Sequence, residues 1–231
     1  MGRSVVHAGA ARCPRCRLPP RWCVCDALPV VTTRLRVHVL IHRREHAKPS
    51  STGRLVARAV SGATCHVYQR ANRFYPAAGW PDGLVPPGDT LWIAHPSGER
   101  VPAADLAAPD RLHLLLLDGT WRQAGEMLRS VEAHGRLVRL PDTDHGPSRS
   151  WLREQPAAGA LATAEALLGF LRLGDEREAE QLLRLHFELH VYATLLSRGK
   201  REQAERYLGT SPLLAERPSP IDRLHARRPR G

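Results

Sequence analysis

From Arg34 onwards, apolar residues come in short runs, each followed by a polar loop and then by a segment with helical spacing. That alternation is the layout of an α/β fold, a largely parallel sheet with helices on both faces. Residues 35–41, 64–68, 91–94 and 137–140 read as strands, and 112–117, apolar except for His113, reads as a central strand buried on both sides. Helices are predicted over 53–60, 123–133, 160–173 and 176–196; in the second of these Ala124, Met127, Leu128 and Val131 share one face. The Pro- and Gly-rich stretch 76–88 reads as a loop. No internal repeat is visible.

The ends of the chain break this rhythm. Residues 1–33 are rich in Cys, Pro and Arg, lack apolar periodicity, and read as a small N-terminal metal-stapled appendage to a catalytic domain spanning 34–215. Residues 216–231 hold three prolines and five arginines, and a poorly ordered basic tail is expected there. No apolar run is long enough to span a bilayer, and Met1 to Arg12 has no apolar core of a secretory signal, so a cytoplasmic protein without a membrane role is expected. Nothing in the sequence calls for an obligate protein partner.

Charge adds a class of partner. Lysine and arginine number 34 against 23 acids, a formal net charge of +11, and most of the excess is arginine. Arginine stays charged and presents a planar fork to phosphate, so a polyanion is implied, without a choice among tRNA, rRNA and DNA. A GC-rich genome, which inflates arginine and alanine together, would give the same excess.

Four of the five cysteines crowd into Cys13-x2-Cys16-x6-Cys23-x-Cys25. In a reducing compartment such clustering favours metal ligation over disulfides, and four thiolates select a structural tetrahedral zinc ion. Redox-active thiols and an iron–sulfur cluster are the alternatives. Arg12, Arg15, Arg17, Arg21 and Trp22 surround the cysteines, a composition that serves either RNA phosphates and bases or simple solubility.

The clearest chemistry sits where the central strand gives way to a helix, at Asp118-Gly119-Thr120-Trp121. Ligands in open α/β sheets bind at that edge, because strand ends and helix N-termini converge there. Asp118 is either a functional carboxylate on a rigid strand or a cap for the following helix. The run from Leu114 to Ala124 resembles the D-x-T-W signature of the DTW-domain family. Further blocks agree in order: the cysteine motif; His42-Arg43-Arg44-Glu45 with Lys48-Pro49-Ser50-Ser51-Thr52-Gly53-Arg54-Leu55, similar to H-P-x-E…N-T-G-R-L with Arg43 in place of proline and Ser51 in place of asparagine; Phe74-Tyr75-Pro76; Ser148-Arg149-Ser150-Trp151-Leu152-Arg153, similar to S-R-Y-x-L-R with the aromatic displaced by one; and Ala162-Thr163-Ala164-Glu165-Ala166, similar to S-T-x-E-A with alanine in place of serine.

That resemblance implies a SPOUT-like sheet with a C-terminal knot around S-adenosylmethionine. The activity implied is transfer of the aminocarboxypropyl group to N3 of a tRNA uridine, with methylthioadenosine released. It places the cofactor near Phe74, Tyr75, Pro76, Leu117, Gly119, Leu161, Thr163 and Glu165. Asp118 is the expected general base or the anchor of the cofactor's amino group, with Thr120 and Trp121 beside it in the catalytic set. His42, Glu45, Arg54, Arg149 and Arg153 are expected to bind RNA or position the substrate. Three other readings stay open on sequence alone: a SPOUT-type RNA methyltransferase, the same transfer on rRNA, and a non-enzymatic zinc-knuckle RNA-binding protein.

Overall fold

The computed structural model describes residues 11–69, 84–101, 103–106, 109–141, 148–152 and 161–226. Five strands form one wholly parallel sheet: β1 (Arg36–His42), β2 (Thr64–Tyr68), β3 (Thr90–Arg100), β4 (Leu112–Asp118) and β5 (Arg136–Arg139), in the spatial order β2-β1-β4-β3-β5. The leucine run becomes β4, hydrogen-bonded on both sides, because a strand covered on two faces gains from apolar residues at successive positions such as Leu114, Leu115 and Leu116.

Alternation along the strands divides the core in two. Val37, Val39, Ile41, Leu114 and Leu116 face one side, packed with α2 (Thr52–Ala59), α4 (Thr163–Leu173) and α5 (Arg177–Ser197). Leu40, Ile93 and Leu115 face the other, against Met127, Leu128 and Val131 of α3 (Trp121–Val131). α3 starts earlier than its periodicity predicts because Thr120 and Gln123 close a reciprocal capping box around its N-terminus. β3 outruns its expected span through an irregularity between Ala94 and Glu99; at Gly98 a Cβ would lie 2.5 Å from the Val138 nitrogen, so only glycine lets the backbone return to β5. Periodicity did not predict the short α1 (Arg43–His46), nor α6 (Arg201–Gly209) and α7 (Pro212–Glu216), which follow α5.

The described parts of the two terminal segments pack on the domain. In the cysteine segment Leu18, Val24, Ala27 and Val31 are buried in the main core, and Val31 bridges Val60. Within the segment expected to be poorly ordered, residues 219–225 form α8 (Ser219–His225), which buries Ile221 and Leu224. Two contacts hold that helix. The Tyr192 hydroxyl pairs with His225 Nε2 at 2.9 Å, and Arg223 donates to the Ala27 carbonyl at 3.0 Å.

Candidate active site and metal centre

The chain leaves β1 outward to β2, whereas β4 sits between β1 and β3 and its continuation crosses β3 to reach β5. Neighbouring strands whose connections run opposite ways open a crevice at their carboxyl ends, and here the neighbours are β1 and β4. Asp118 ends β4 in register with Ile41, so its side chain lies on the α2–α4 face, and His42 turns to the opposite face beside Tyr68.

Asp118 is 6% exposed, and its carboxylate accepts three hydrogen bonds from two helix starts. Ser51, the N-cap of α2, donates its hydroxyl to Oδ2 at 2.6 Å; the Gly53 N–H reaches Oδ1 at 3.1 Å; and the Thr163 hydroxyl, on the first residue of α4, reaches Oδ1 at 2.7 Å. Helix N-termini carry unpaired N–H groups and partial positive charge, so a buried carboxylate between two of them is stabilised without a cationic partner. Gly53 makes the approach feasible: a Cβ there would lie 2.6 Å from Asp118 Cβ and 2.9 Å from Val39 Cγ1. Neither Ser51 nor Gly53 was singled out as a site residue from sequence, although the serine three residues before Arg54 has the spacing of a cap.

The other anticipated residues take varied places. Thr120 is spent on capping α3, as above, and Gly119 lies against Gln123 and Met127. Trp121, by contrast, is 45% exposed at the crevice edge, so its indole is not core. Leu117 and Leu161 are half-buried on the same edge. Glu165 reaches back as a cap: its carboxylate accepts from Ala162 N–H, Arg149 N–H and the Ser148 hydroxyl, fastening residues 148–149 to the start of α4. His42 caps α1 by accepting from Arg44 N–H, and burial pushes its imidazole below the ordinary range. Glu45, buried, accepts from Lys48 Nζ at 2.6 Å.

Two of the arginines expected to bind RNA or position the substrate bond to the protein's own chain. Arg149 bonds Thr210 Oγ1 at 2.6 Å and the Tyr207 carbonyl at 3.1 Å, lies 3.5 Å from Glu188, and stacks over the Tyr207 ring. Arg54 donates to the carbonyls of Pro14 and Arg15, both at 2.8 Å, and meets His46. Each is a strut. Arg43, Arg44 and Arg122, beside the crevice, are exposed. Phe74, Tyr75, Pro76 and Arg153 lie outside the described residues.

The thiols of Cys13, Cys16, Cys23 and Cys25 all lie within 4.8 Å of one another, with Cys13–Cys25 at 3.6 Å and Cys16–Cys23 at 3.7 Å. A zinc ion with Zn–S bonds of about 2.3 Å needs sulfur–sulfur edges of about 3.8 Å, so the quartet fits a tetrahedral metal. The cluster could hold one ion with no rearrangement of the fold. Thiol-to-thiol hydrogen bonding splits the group: S–H donation from Cys16 and Cys25 holds Cys23 towards thiolate, while Cys16 and Cys25 are pushed up. Arg17 adopts φ 62°, the left-handed turn that closes the Cys13–Cys16 knuckle, with Arg17 N–H bonded to the Cys13 carbonyl at 2.8 Å.

Comparison with known families places this geometry. A DTW domain model matches residues 10–195, spanning the cysteine quartet, both helix starts and Asp118. The chain belongs to the DTW-domain family. Among relatives of this DTW domain, a Drosophila melanogaster protein named tRNA-uridine aminocarboxypropyltransferase 2 is 28% identical over 173 residues, covering 72% of this chain and 67% of its own. An Arabidopsis thaliana protein named tRNA-uridine aminocarboxypropyltransferase A is 26% identical over 189 residues, covering 70% of this chain and 72% of its own. No solved structure matches. Among the described residues of the DTW domain and its flanks, no helix is long and apolar enough to cross a membrane.

Proposed function

We propose that this chain transfers the 3-amino-3-carboxypropyl group of S-adenosylmethionine to N3 of a tRNA uridine, releasing methylthioadenosine, in the cytoplasm. The observation that carries this reading is the convergence of three motif blocks, distant in sequence, on one carboxylate at the topological switch point: Ser51 and Gly53, Asp118, and Thr163. Names of the Drosophila and Arabidopsis relatives supply the reaction class.

S-adenosylmethionine supplies a sulfonium: as the N3–C bond forms, the bond from sulfur to the methionine arm breaks, and sulfur keeps the electron pair. Which carbon reacts is a matter of orientation, so the chain's task is positioning. An ionised carboxylate offers about four acceptor sites, and Asp118 uses three. The fourth serves the donor's ammonium or the N3 proton of uridine. Around it, Leu117 and Gly119 at the end of β4 and Leu161 and Thr163 at the start of α4 frame the donor, with Glu165 holding the latter segment in place through its caps. Phe74, Tyr75 and Pro76 join them on the strength of the family resemblance, and Arg153 binds RNA or positions the substrate. Arg54 and Arg149 act as positioning residues through the segments they brace.

Trp121 is the stacking platform for the target base, and exposed Arg43, Arg44 and Arg122 meet RNA phosphates beside His42 and Glu45. A loop uridine, with N3 unpaired, is the accessible substrate. The reading includes a SPOUT-like C-terminal knot, on the strength of the family resemblance. It also includes structural zinc at the cysteine quartet, supported by the fit of its sulfur spacings.

The deciding experiment incubates purified protein with tRNA and S-adenosylmethionine and identifies the nucleosides by mass spectrometry. An aminocarboxypropyl-uridine and free methylthioadenosine are expected. A methylated nucleoside with S-adenosylhomocysteine instead would overturn the reaction assigned, and modification of rRNA with tRNA untouched would overturn the substrate.

A further inference from the structure

Buried guanidinium nitrogens without partners are costly, because each N–H surrenders water and gains nothing. Among the described residues, the buried side-chain nitrogens without a hydrogen-bond partner include Arg17 Nε, Arg54 Nε, and both Nε and Nη2 of Arg58. All three arginines border the cysteine quartet. Arg17 follows Cys16, Arg54 donates to the carbonyls of Pro14 and Arg15, and Arg58 Nη1 donates to the Val24 carbonyl, between Cys23 and Cys25, at 3.4 Å.

None of the three has a carboxylate within ion-pair distance among the described residues; their partners are neutral carbonyls and an imidazole. The positive charges also oppose one another, since Arg17 disfavours the charge on Arg54. Three crowded cations facing four thiols lack an anion. Four thiolates around a divalent ion carry a net charge of −2 (four times −1, plus 2), on sulfurs that accept N–H donors.

We propose that Arg58, with Arg54 and Arg17, is the built-in counter-charge of a metal tetrathiolate at Cys13, Cys16, Cys23 and Cys25. The proposal rests on the zinc reading above and adds residues outside the cysteine motif to it. It also gives α2 a double role. The start of this helix grips Asp118 through Ser51 and Gly53, and its Arg54 and Arg58 face the metal lobe, so the lobe sets the position of the helix that holds the active-site carboxylate.

The test uses full-length protein and zinc alone, with affinity measured by competition against a chromophoric chelator and thermal unfolding recorded with and without metal. Arg58→Met should weaken zinc binding about 10- to 100-fold, the usual effect of losing an outer-shell partner, with Arg58→Lys falling between. In metal-free protein the order should reverse, with Arg58→Met unfolding at the same or a higher temperature than the parent, because an uncompensated buried charge has gone. Arg17→Gly is the safeguard against a folding defect: it relieves a left-handed backbone, yet should still loosen zinc. Parent-like zinc affinity in both Arg58→Met and Arg17→Gly would overturn the counter-charge assignment and leave the zinc reading standing. A parent protein that binds no zinc would overturn both.

Discussion

Thr163 Oγ1 donates to Asp118 Oδ1 at 2.7 Å, tying the first residue of α4 to the last residue of β4. With the Ser51 and Gly53 donors this makes the carboxylate a clasp as well as a functional group, and two substitutions separate the roles. In Asp118→Asn the amide oxygen still accepts from Gly53 N–H and Thr163, and the NH2 can donate to Ser51 Oγ. Stability should stay within about 1 kcal/mol of the parent while transferase activity disappears. Asp118→Ala leaves the Gly53 N–H and two hydroxyls without their acceptor, and should cost on the order of 3 kcal/mol as well. Denaturant unfolding beside the nucleoside assay checks both; an Asp118→Asn enzyme with parental turnover would reduce the aspartate to architecture.

Gly53 has no freedom to grow. A methyl group there would sit 2.6 Å from Asp118 Cβ and 2.7 Å from its Cγ, on a rigid strand. Gly53→Ala would normally favour a helix, by up to about 1 kcal/mol. Here it should instead destabilise by roughly 1–3 kcal/mol, because α2 must lift away from β4, and product formation should fall with it. A melting temperature equal to or above the parent's would show that the helix tolerates the shift.

Much of this site could be read in the chain because its parts obey local rules. The four consecutive leucines 114–117 announce a central strand, the residue at their end is then forced to the carboxyl edge, and the cysteine spacing announces a ligand set. What could not be read depends on tertiary partners. The charge of Arg54 and Arg149 fits an RNA contact equally well, and only folding shows their forks closed on Pro14, Arg15, Tyr207 and Glu188. α8 was hidden because two prolines and several arginines swamp its two apolar anchors, Ile221 and Leu224. Its stability comes from docking on Tyr192 and Ala27, which no local pattern records.

Trp121 gives the clearest separation of binding from folding. It is 45% exposed, so Trp121→Ala should change stability by no more than about 0.5 kcal/mol. As a stacking platform it should cost about 1–3 kcal/mol of tRNA affinity or transition-state stabilisation, with Trp121→Phe recovering part. Binding by filter retention and turnover under saturating tRNA divide the loss between KM and kcat. A variant with parental affinity and turnover would remove the indole from the RNA path.

Three buried histidines should make the fold acid-labile well above the range of its carboxylates. Desolvation pushes His38 down to about 3, His186 to about 4 and His190 to about 3, and all three are held neutral. His186 and His190 each donate Nε2–H to a carbonyl at 2.7 Å, those of Pro29 and Pro49, while His38 bonds Thr64 and His113. A depressed histidine pKa means the unfolded chain binds more protons than the folded one. Stability from these groups is therefore complete above about pH 6.5 and is lost progressively as pH falls towards 3–4. By pH 5 the loss should be roughly 2 kcal/mol per histidine. His190→Gln, which keeps an N–H donor, should flatten the slope of unfolding free energy against pH by about one proton, whatever it does to absolute stability. Equal slopes between pH 5 and 6 in parent and variant would mean that His190 is not held neutral by its burial.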